Sequence, residues 1–220
     1  GTGGYLPRIE YAIPALSIPT VTTGDVNRDG KLDVVVARKD AVSVFLGDGT
    51  GALGTRTDYA ATGDLRYPVL ADMNGDGLAD LALASTLSKE ALVMTGNGTG
   101  AFAVPSRTVL PLSPRDLAVS DLNGDGRPEL ILPQSDGPPT CTILLNGTGG
   151  EFRVRSDIAV ADQPGSVLMG DLNGDGRPDL AVTGPTNFSV LLARAAGGFQ
   201  RADFSSALGP MAGAAEGDVD

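Results

Sequence analysis

A nine-residue acidic segment recurs four times along the chain and constrains the fold more than any other feature. The starts of successive copies are 47, 49 and 50 residues apart. The copies begin at Asp25, Asp72, Asp121 and Asp171. A glycine-rich turn that ends in an apolar or aromatic residue keeps the same spacing, at Tyr5, Leu53, Phe102, Phe152 and Phe199. Because self-similarity at a period of roughly 20 to 50 residues is typical of repeat architectures, we predict a series of similar structural units.

Each period contains short segments rich in β-forming residues, and none shows a helical period. In the first repeat we predict four strands, at 19–24, 33–37, 41–46 and 55–60. The later repeats have matching apolar runs at 81–84, 92–95, 130–132, 142–145, 180–182 and 189–192. These runs are apolar at consecutive positions, as expected when both faces of a sheet are covered. The sequence therefore predicts an all-β fold, a β-propeller of four-stranded antiparallel blades.

The repeat spacing also predicts the boundaries of the units. We expect an outer strand at 5–13, repeats at 14–62, 63–111, 112–161 and 162–208, and the start of a fifth repeat at 209–220. The segment from Gly217 to Asp220 resembles the beginning of a fifth acidic copy. About four and a half blades would belong to a larger ring, for example one of seven blades, or would pair with further blades or other chains. The leading strand could pair with the open edge of the last blade.

The acidic segments offer oxygen atoms at alternate positions, which predicts a calcium site in each copy. Calcium takes about six to eight oxygen ligands. We expect positions 1, 3, 5 and 9 to supply side-chain oxygens and position 7 a backbone carbonyl, while glycine at position 6 provides the turn. The predicted ligands are Asp25, Asn27, Asp29, Lys31 (backbone oxygen) and Asp33; Asp72, Asn74, Asp76, Leu78 (backbone oxygen) and Asp80; Asp121, Asn123, Asp125, Arg127 (backbone oxygen) and Glu129; and Asp171, Asn173, Asp175, Arg177 (backbone oxygen) and Asp179. About four structural Ca²⁺ ions would be bound.

The acidic segments have two other interpretations, an EF-hand and a polar turn without metal. An EF-hand requires an acid at position 12, where this chain has Val36, Leu83, Leu132 and Val182. A polar turn without metal is the second, because Asn, Asp and Gly are ordinary turn residues. Four loops that each concentrate acids at positions 1, 5 and 9 favour bound cations, which would offset the repulsion. Glu129 is longer than the aspartate at the same position of the other loops.

Composition limits the function classes. A net charge of −11 argues against nucleic acid as a partner, and no apolar run is long enough for a membrane span. The sequence has no histidine and no tryptophan, so the commonest general base and the largest stacking platform are absent. Cys141 is expected to be an inert core thiol. We therefore expect no nucleic-acid binding, no membrane insertion and no catalytic activity in this chain.

Several loop residues could contact a partner. Positive charges are expected near the face opposite the acidic loops, at Arg38, Lys39, Arg66, Lys89 and Arg115. They form either a solvated surface or a face that binds a protein or glycan partner. Glycosylation sequons begin at Asn97, Asn146 and Asn187, and the first two are also Asn-Gly hairpin turns.

The D-x-N-x-D-G-x-x-D pattern, followed by a glycine-rich turn into Phe at a period near 48, resembles the FG-GAP or VCBS-type repeat. The calcium-bearing blades of that family build the β-propeller of integrin α subunits and of many secreted bacterial proteins. The resemblance covers essentially the whole chain. It implies a calcium-stabilised binding or adhesion scaffold in a secreted, cell-surface or periplasmic protein. The alternatives are a lectin-like carbohydrate-binding module and a non-catalytic propeller domain of a secreted lyase or hydrolase.

Overall fold

The computed structural model describes residues 8–14, 18–148 and 151–205, and these ranges contain β-strands, turns and irregular segments but no helix. Fourteen strands occur in the described residues. They are β1 (Thr20–Gly24), β2 (Asp33–Phe45), β3 (Thr57–Ala71), β4 (Asp80–Ser85), β5 (Glu90–Met94), β6 (Ser106–Val109), β7 (Ala118–Ser120), β8 (Glu129–Gln134), β9 (Thr140–Asn146), β10 (Phe152–Ala159), β11 (Ser166–Gly170), β12 (Asp179–Thr183), β13 (Asn187–Ala193) and β14 (Phe199–Ser205). All pairings between them are antiparallel. The all-β prediction is therefore confirmed.

Each acidic copy lies between the first and second strands of a four-stranded unit. Unit 3 consists of β7 to β10 and unit 4 of β11 to β14, each a separate four-stranded sheet. Units 1 and 2 share one six-stranded sheet, β1 to β6. The strands of each unit follow one another in sequence order, so every connection is a short turn or loop.

β2 supplies two strands of unit 1, because it folds back on itself. Its first part pairs with β1 over Asp33 to Ala37 and its second part pairs with β3 over Ala41 to Val44. The Gly47 N–H donates to Asp33 Oδ1 at 2.8 Å, although fourteen residues separate them. A straight strand would hold these atoms far apart. The reversal occurs at Asp40, whose φ is 62°, and the two predicted strands at 33–37 and 41–46 are both present.

β3 passes without interruption from unit 1 to unit 2. Its first part pairs with β2 and its second part, from Leu65 to Ala71, pairs with β4. Two irregular positions allow the change of direction, since Gly63 has a φ of 128° and Tyr67 a φ of 55°. The register shifts between Arg66 and Val69. The sequence-based boundary between repeats, at residue 63, therefore lies inside a strand.

The units stack face to face around three apolar clusters. The first cluster joins units 1 and 2, the second joins units 2 and 3, and the third joins units 3 and 4. Neighbouring residues of one strand point into different clusters: Leu130 and Leu132 belong to the second, whereas Ile131 belongs to the third. The side chains of these three residues are completely buried. The consecutive apolar residues of the sequence are thus explained by burial on both faces, as predicted.

The outermost sheet faces are covered differently. No sheet lies on the second face of unit 4 within the described ranges, and Phe188 and Phe204 stack there with ring centroids 4.9 Å apart. Phe204 is 48% exposed. The first strands of successive units, β1, β3, β7 and β11, are neighbours in space. Successive units therefore contact one another through these strands as well as through the apolar clusters.

Residues 8–14 lie against unit 1 in the position that a fourth strand holds against the unit after it. Arg56 donates to the Ala12 carbonyl at 2.9 Å, as Arg107 donates to the Thr62 carbonyl at 3.0 Å and Arg201 to the Ala159 carbonyl at 2.8 Å. No β-ladder includes residues 8–14, where the sequence predicted an outer strand. A strand needs a paired neighbour, and the described residues place none beside this segment.

Some predictions concern residues that the structure does not describe. These are the Tyr5 turn, the start of the outer strand at residue 5, the end of the fourth repeat after residue 205 and the fifth repeat at 209–220. Among the described residues no helix is long and apolar enough to cross a bilayer.

Burial on both faces makes a testable prediction about strand β8. We expect Ile131→Ala and Leu132→Ala each to lower the free energy of unfolding by about 2–5 kcal/mol, because each removes a fully buried side chain. Val109→Ala is the control, since Val109 is 72% exposed in β6, and should change stability by less than about 0.5 kcal/mol. Chemical denaturation measures all three. If Ile131→Ala left the free energy of unfolding unchanged while Leu132→Ala lowered it, one face of unit 3 would be open to solvent.

Candidate metal centre

The closing acid of each loop is the first residue of the second strand and is buried. Asp33, Asp80, Glu129 and Asp179 have no exposed surface. Each is followed by the apolar run that fills the clusters between units, so the strand carries its first residue into the interior. Buried carboxylates are costly unless they accept hydrogen bonds.

In loops 1, 2 and 4 the closing acid accepts hydrogen bonds from main-chain amides on two sides. In loop 2, Asp80 Oδ2 accepts the Met73 N–H at 3.0 Å and Asp80 Oδ1 accepts the Gly96 N–H at 2.8 Å. The loop 1 carboxylate, Asp33, accepts from Val26 and Gly47 in the same way. Asp179 does so from Leu172 and Ala193. The carboxylate therefore joins the start of the loop to the end of the third strand, and this pair of hydrogen bonds forms a clamp.

Loop 3 keeps the bond to the start of the loop with a longer side chain. Glu129 Oε2 accepts the Leu122 N–H at 2.8 Å, and its other oxygen accepts the Asn123 side-chain amide at 3.1 Å. In loops 2 and 4 the amide at position 3 instead donates to the acid at position 5, from Asn74 to Asp76 and from Asn173 to Asp175. The substitution of Glu for Asp thus changes the partner of the neighbouring asparagine.

The acids and amides at positions 1, 3 and 5 lie at the surface or half-buried, and each accepts main-chain N–H groups of its own loop. In loop 4, Asp171 Oδ2 accepts the Gly176 N–H at 2.7 Å, and Asn173 and Asp175 accept the N–H groups two residues further on. The other three loops repeat these bonds. These hydrogen bonds fix the shape of the loop.

Two positions of each loop need a left-handed backbone. The glycine at position 6 has a φ between 77° and 81° in all four loops, which confirms the predicted turn. Position 4 also has a positive φ, with glycine in three loops and Arg28 at 62° in the first. Sequence reasoning overlooked the second position, although the repeated Asn-Gly pair was a signal for it.

The first acid and the closing acid of a loop differ in the direction of their pKa shift. The pKa of Asp25 lies below its ordinary value chiefly because the Gly30 N–H donates to it, and the pKa of Asp171 is lowered in the same way by the Gly176 N–H. Burial raises the pKa of Asp80 and Glu129, against the opposing effect of their amide hydrogen bonds. Asp25 and Asp171 are therefore charged at neutral pH and accessible to a cation.

Three loops carry a basic side chain that pairs with the acid at position 5. Arg127 lies 2.8 Å from Asp125, Arg177 lies 2.6 Å from Asp175, and Lys31 lies 3.5 Å from Asp29. Loop 2 has Leu78 at this position. Sequence reasoning considered only the carbonyl of position 7. These ion pairs are a second way to compensate the acids, and a bound cation would compete with them.

The chemical type of the donor atoms suits a hard cation, whereas their positions among the described residues do not yet form a site for one. Every side-chain donor of positions 1, 3 and 5 is an oxygen, which suits calcium. In the described part of the chain, however, no three acidic, histidine or cysteine side chains form a group able to hold an ion. The closing acid is engaged with the main chain, although each carboxylate oxygen can accept more than one bond. Metal ligation by the twenty predicted residues stays a prediction.

The positive residues of the opposite end are mostly engaged within the protein. Arg38 is 7% exposed and lies 2.8 Å from Asp58. Arg66 pairs with Asp64 at 2.9 Å, and Arg115 lies 3.4 Å from Asp136. These ion pairs reduce the charge available to a partner on that face.

The structure distinguishes the three sequons. Asn146 is 3% exposed, and its side-chain amide donates to the Met73 carbonyl at 2.6 Å and to the Pro128 carbonyl at 3.2 Å. Ser189 of the third sequon is completely buried. Asn97 is exposed, and its side-chain oxygen accepts the Thr99 N–H at 3.0 Å. Asn146 therefore serves as an internal donor that links two acidic loops.

A groove opens between units 2 and 3 beside the acidic loops. It has a volume of about 460 Å³. Its apolar lining comes from Met73, Val93 and Phe152, and hydroxyl groups come from Thr95, Ser106 and Thr148. Asn74 and Arg127 of loops 2 and 3 border it. The groove combines an apolar wall with exposed hydroxyls.

Comparison with known proteins relates the chain to one repeat family and to a lectin fold. The family model described as an FG-GAP-like repeat matches residues 25–83, 72–132 and 121–182. No curated protein matches the chain. Among solved structures, a lectin of Agrocybe aegerita that recognises non-reducing terminal N-acetylglucosamine is similar, with 24% identity and a TM-score of 0.63. The match covers 83% of this chain and 50% of the lectin chain, so it spans half the length of that protein.

The clamp and the loop acids predict different effects of matched substitutions. We expect Asp80→Asn to lower the free energy of unfolding by about 1–3 kcal/mol with or without calcium, because the new NH₂ group would face a main-chain N–H donor. Asp76→Asn, at exposed position 5 of the same loop, should change stability by less than about 0.5 kcal/mol in a chelator. Denaturation in chelator and in calcium measures both. Equal effects of the two variants in chelator would contradict the clamp.

Proposed function

The chain belongs to the FG-GAP-like repeat family, and on this premise we propose that it is a calcium-stabilised extracellular binding or adhesion scaffold built as a β-propeller. The observation that carries the proposal is the fourfold recurrence of one loop with its oxygen atoms at the surface. Its metal would be structural: an ion in each loop would neutralise acids and hold the turn between the first and second strands.

The propeller arrangement is supported by how the units cover one another. Each internal sheet has an apolar cluster on both faces, and the first strands of neighbouring units lie side by side. The aromatic pair Phe188 and Phe204 lies on a face that no described sheet covers. A ring would give every unit a neighbour on both faces, and residues 8–14 already occupy the place of a preceding fourth strand.

Calcium binding is supported by donor chemistry and charge. The first acid of each loop accepts the N–H of the glycine at position 6, which leaves further oxygen lone pairs free for an ion. The net charge of −11 would be largely offset by four divalent ions. Extracellular calcium modules bind with dissociation constants of roughly 10⁻⁴ to 10⁻³ M. Surface loops of this kind suit a secreted, cell-surface or periplasmic protein.

A non-catalytic role is part of the same proposal. Cys141 is completely buried, and burial raises its pKa to about 12, so the thiolate nucleophile is not formed at neutral pH. The sequence offers no histidine as a general base. The chain would serve as a binding scaffold by itself or as the propeller domain attached to a secreted lyase or hydrolase.

A partner surface on the end opposite the acidic loops remains part of the proposal. A groove of about 370 Å³ lies there between units 3 and 4, bordered by Arg115, Ser135, Ser166 and Thr183. Arg115 is the exposed positive group of this groove, with about half of its side chain accessible. The surface suits a protein or glycan partner with hydrogen-bonding groups rather than a strongly charged one.

Calcium should raise the melting temperature in a concentration-dependent manner. An ion that binds only the folded protein adds about 2.7 kcal/mol at a concentration one hundred times its dissociation constant. Melting curves in chelator and in increasing calcium measure the effect, with magnesium at matched ionic strength as the control. Curves that coincide in calcium and in chelator would overturn the structural role of calcium.

Carbohydrate binding is a second candidate, favoured by the groove between units 2 and 3. Its hydroxyls and its apolar wall at Phe152 are the groups that hold sugar rings, and a lectin has a similar fold.

The groove candidate is tested with N-acetylglucosamine and a panel of glycans. If the groove binds sugar, Thr95→Val should weaken binding by roughly fivefold, the loss of about one hydrogen bond. Thr23→Val, at an exposed site of β1 away from the groove, should leave binding unchanged. Nuclear magnetic resonance titration measures weak affinities. A glycan panel without any binding, or equal effects of the two variants, would contradict this candidate.

A further inference from the structure

The second position of every acidic loop is apolar in an otherwise polar segment. The residues are Val26, Met73, Leu122 and Leu172. Each donates its N–H to the closing acid of its own loop, at distances of 2.9, 3.0, 2.8 and 3.0 Å respectively. The second residue is thus fixed by its main chain to the clamp that shapes the loop.

The side chain of the second residue packs into the core shared with the following unit. Val26 is 3% exposed and lies in the cluster between units 1 and 2, and Met73 is 2% exposed in the cluster between units 2 and 3. Leu122 packs against the cluster between units 3 and 4. Leu172 of loop 4 is 52% exposed, and the described residues include no unit beyond it. Burial at this position therefore follows the presence of a next unit.

The carbonyl of the second residue is also held by the following unit in the first two loops. The Val26 carbonyl accepts the Gly100 N–H of unit 2 at 3.0 Å. The Met73 carbonyl accepts the buried side-chain amide of Asn146, from unit 3, at 2.6 Å. Tyr59 of unit 1 donates in turn to the Gly100 carbonyl at 3.1 Å. One residue therefore contacts its own loop through N–H and the next unit through both side chain and carbonyl.

We propose that the second residue of acidic loops 1, 2 and 3 couples cation binding in its loop to docking of the following unit. The proposal rests on the calcium binding proposed above. An ion that holds the loop in one conformation also holds the carbonyl and side chain that the next unit contacts. By linkage, a docked next unit must raise the calcium affinity of the loop by the same factor.

The coupling predicts an order among the loops. Loops 1 and 2 are held by a core contact and a carbonyl bond, and loop 3 by the core contact at Leu122. Leu172 has no such contact among the described residues. Calcium affinity in loops 1 and 2 should therefore depend on the residue at position 2, and affinity in loop 4 should not.

The test uses Met73→Ala and its matched control Leu172→Ala in the full chain. The amide signals of Gly30, Gly77, Gly126 and Gly176 report the four loops separately, because each of these N–H groups donates to the first acid of its loop. We expect Met73→Ala to raise the calcium concentration at half-change of the Gly77 signal by roughly fivefold or more, since fivefold is the lower limit of typical couplings. The half-change concentration for Gly176 should stay the same. Leu172→Ala should leave every midpoint unchanged. Val26→Ala removes fewer atoms and should weaken the calcium affinity reported by Gly30 alone.

The outcomes separate the two proposals. No calcium response of any glycine in the unsubstituted protein would overturn calcium binding and the coupling that rests on it. A normal response with an unchanged Gly77 midpoint in the Met73 variant would overturn the coupling alone. Equal weakening of all four loops would also overturn it, because a general loss of stability does not select the loop next to the substitution.

Discussion

The architecture depends on one buried carboxylate in each unit. This group closes the acidic loop, and in units 1, 2 and 4 it also closes the hairpin that follows, because its two oxygens accept hydrogen bonds from both sides. In unit 2 this side chain, Asp80, connects Met73 in the acidic loop to Gly96 after β5. A side chain placed in the interior with both oxygens satisfied fixes the start of the second strand. The apolar residues after it then reach the clusters on both faces.

The loops and the stacked sheets are parts of one construction. An acidic loop carries positions 1, 3 and 5 on its outer side and is buried on its inner side at position 9 and, in loops 1 and 2, also at position 2. The outer side carries exposed carboxylates, whereas the inner side of loops 1 to 3 packs into the cluster shared with the next unit. Apolar burial supplies most of the stabilisation between units, and the loop determines which residues are presented for it.

The sequence predicted the repeat, the strand order and the core runs, because a spacing near 48 residues and consecutive apolar residues have few structural explanations. It could not separate a ligand from a clamp. Both roles need a carboxylate at position 9. The burial of Asp33 and its two amide partners reveals the clamp, and metal ligation by the same carboxylate stays a prediction. The pairing of Arg177 with Asp175 was equally hidden, since two residues of a loop can point in any relative direction. The continuity of β3 was not predicted, because the repeat boundaries were placed at turns.

The continuity of β3 has a consequence for how the molecule can be divided. The links from unit 2 to unit 3 and from unit 3 to unit 4 run outside any strand, near Leu112 and Gln163. The link from unit 1 to unit 2 is part of a hydrogen-bonded ladder on both of its sides. New chain ends or inserted domains are tolerated where the backbone is exposed and free of ladder bonds. The first two units therefore form the smallest indivisible module, to which later units are added one at a time.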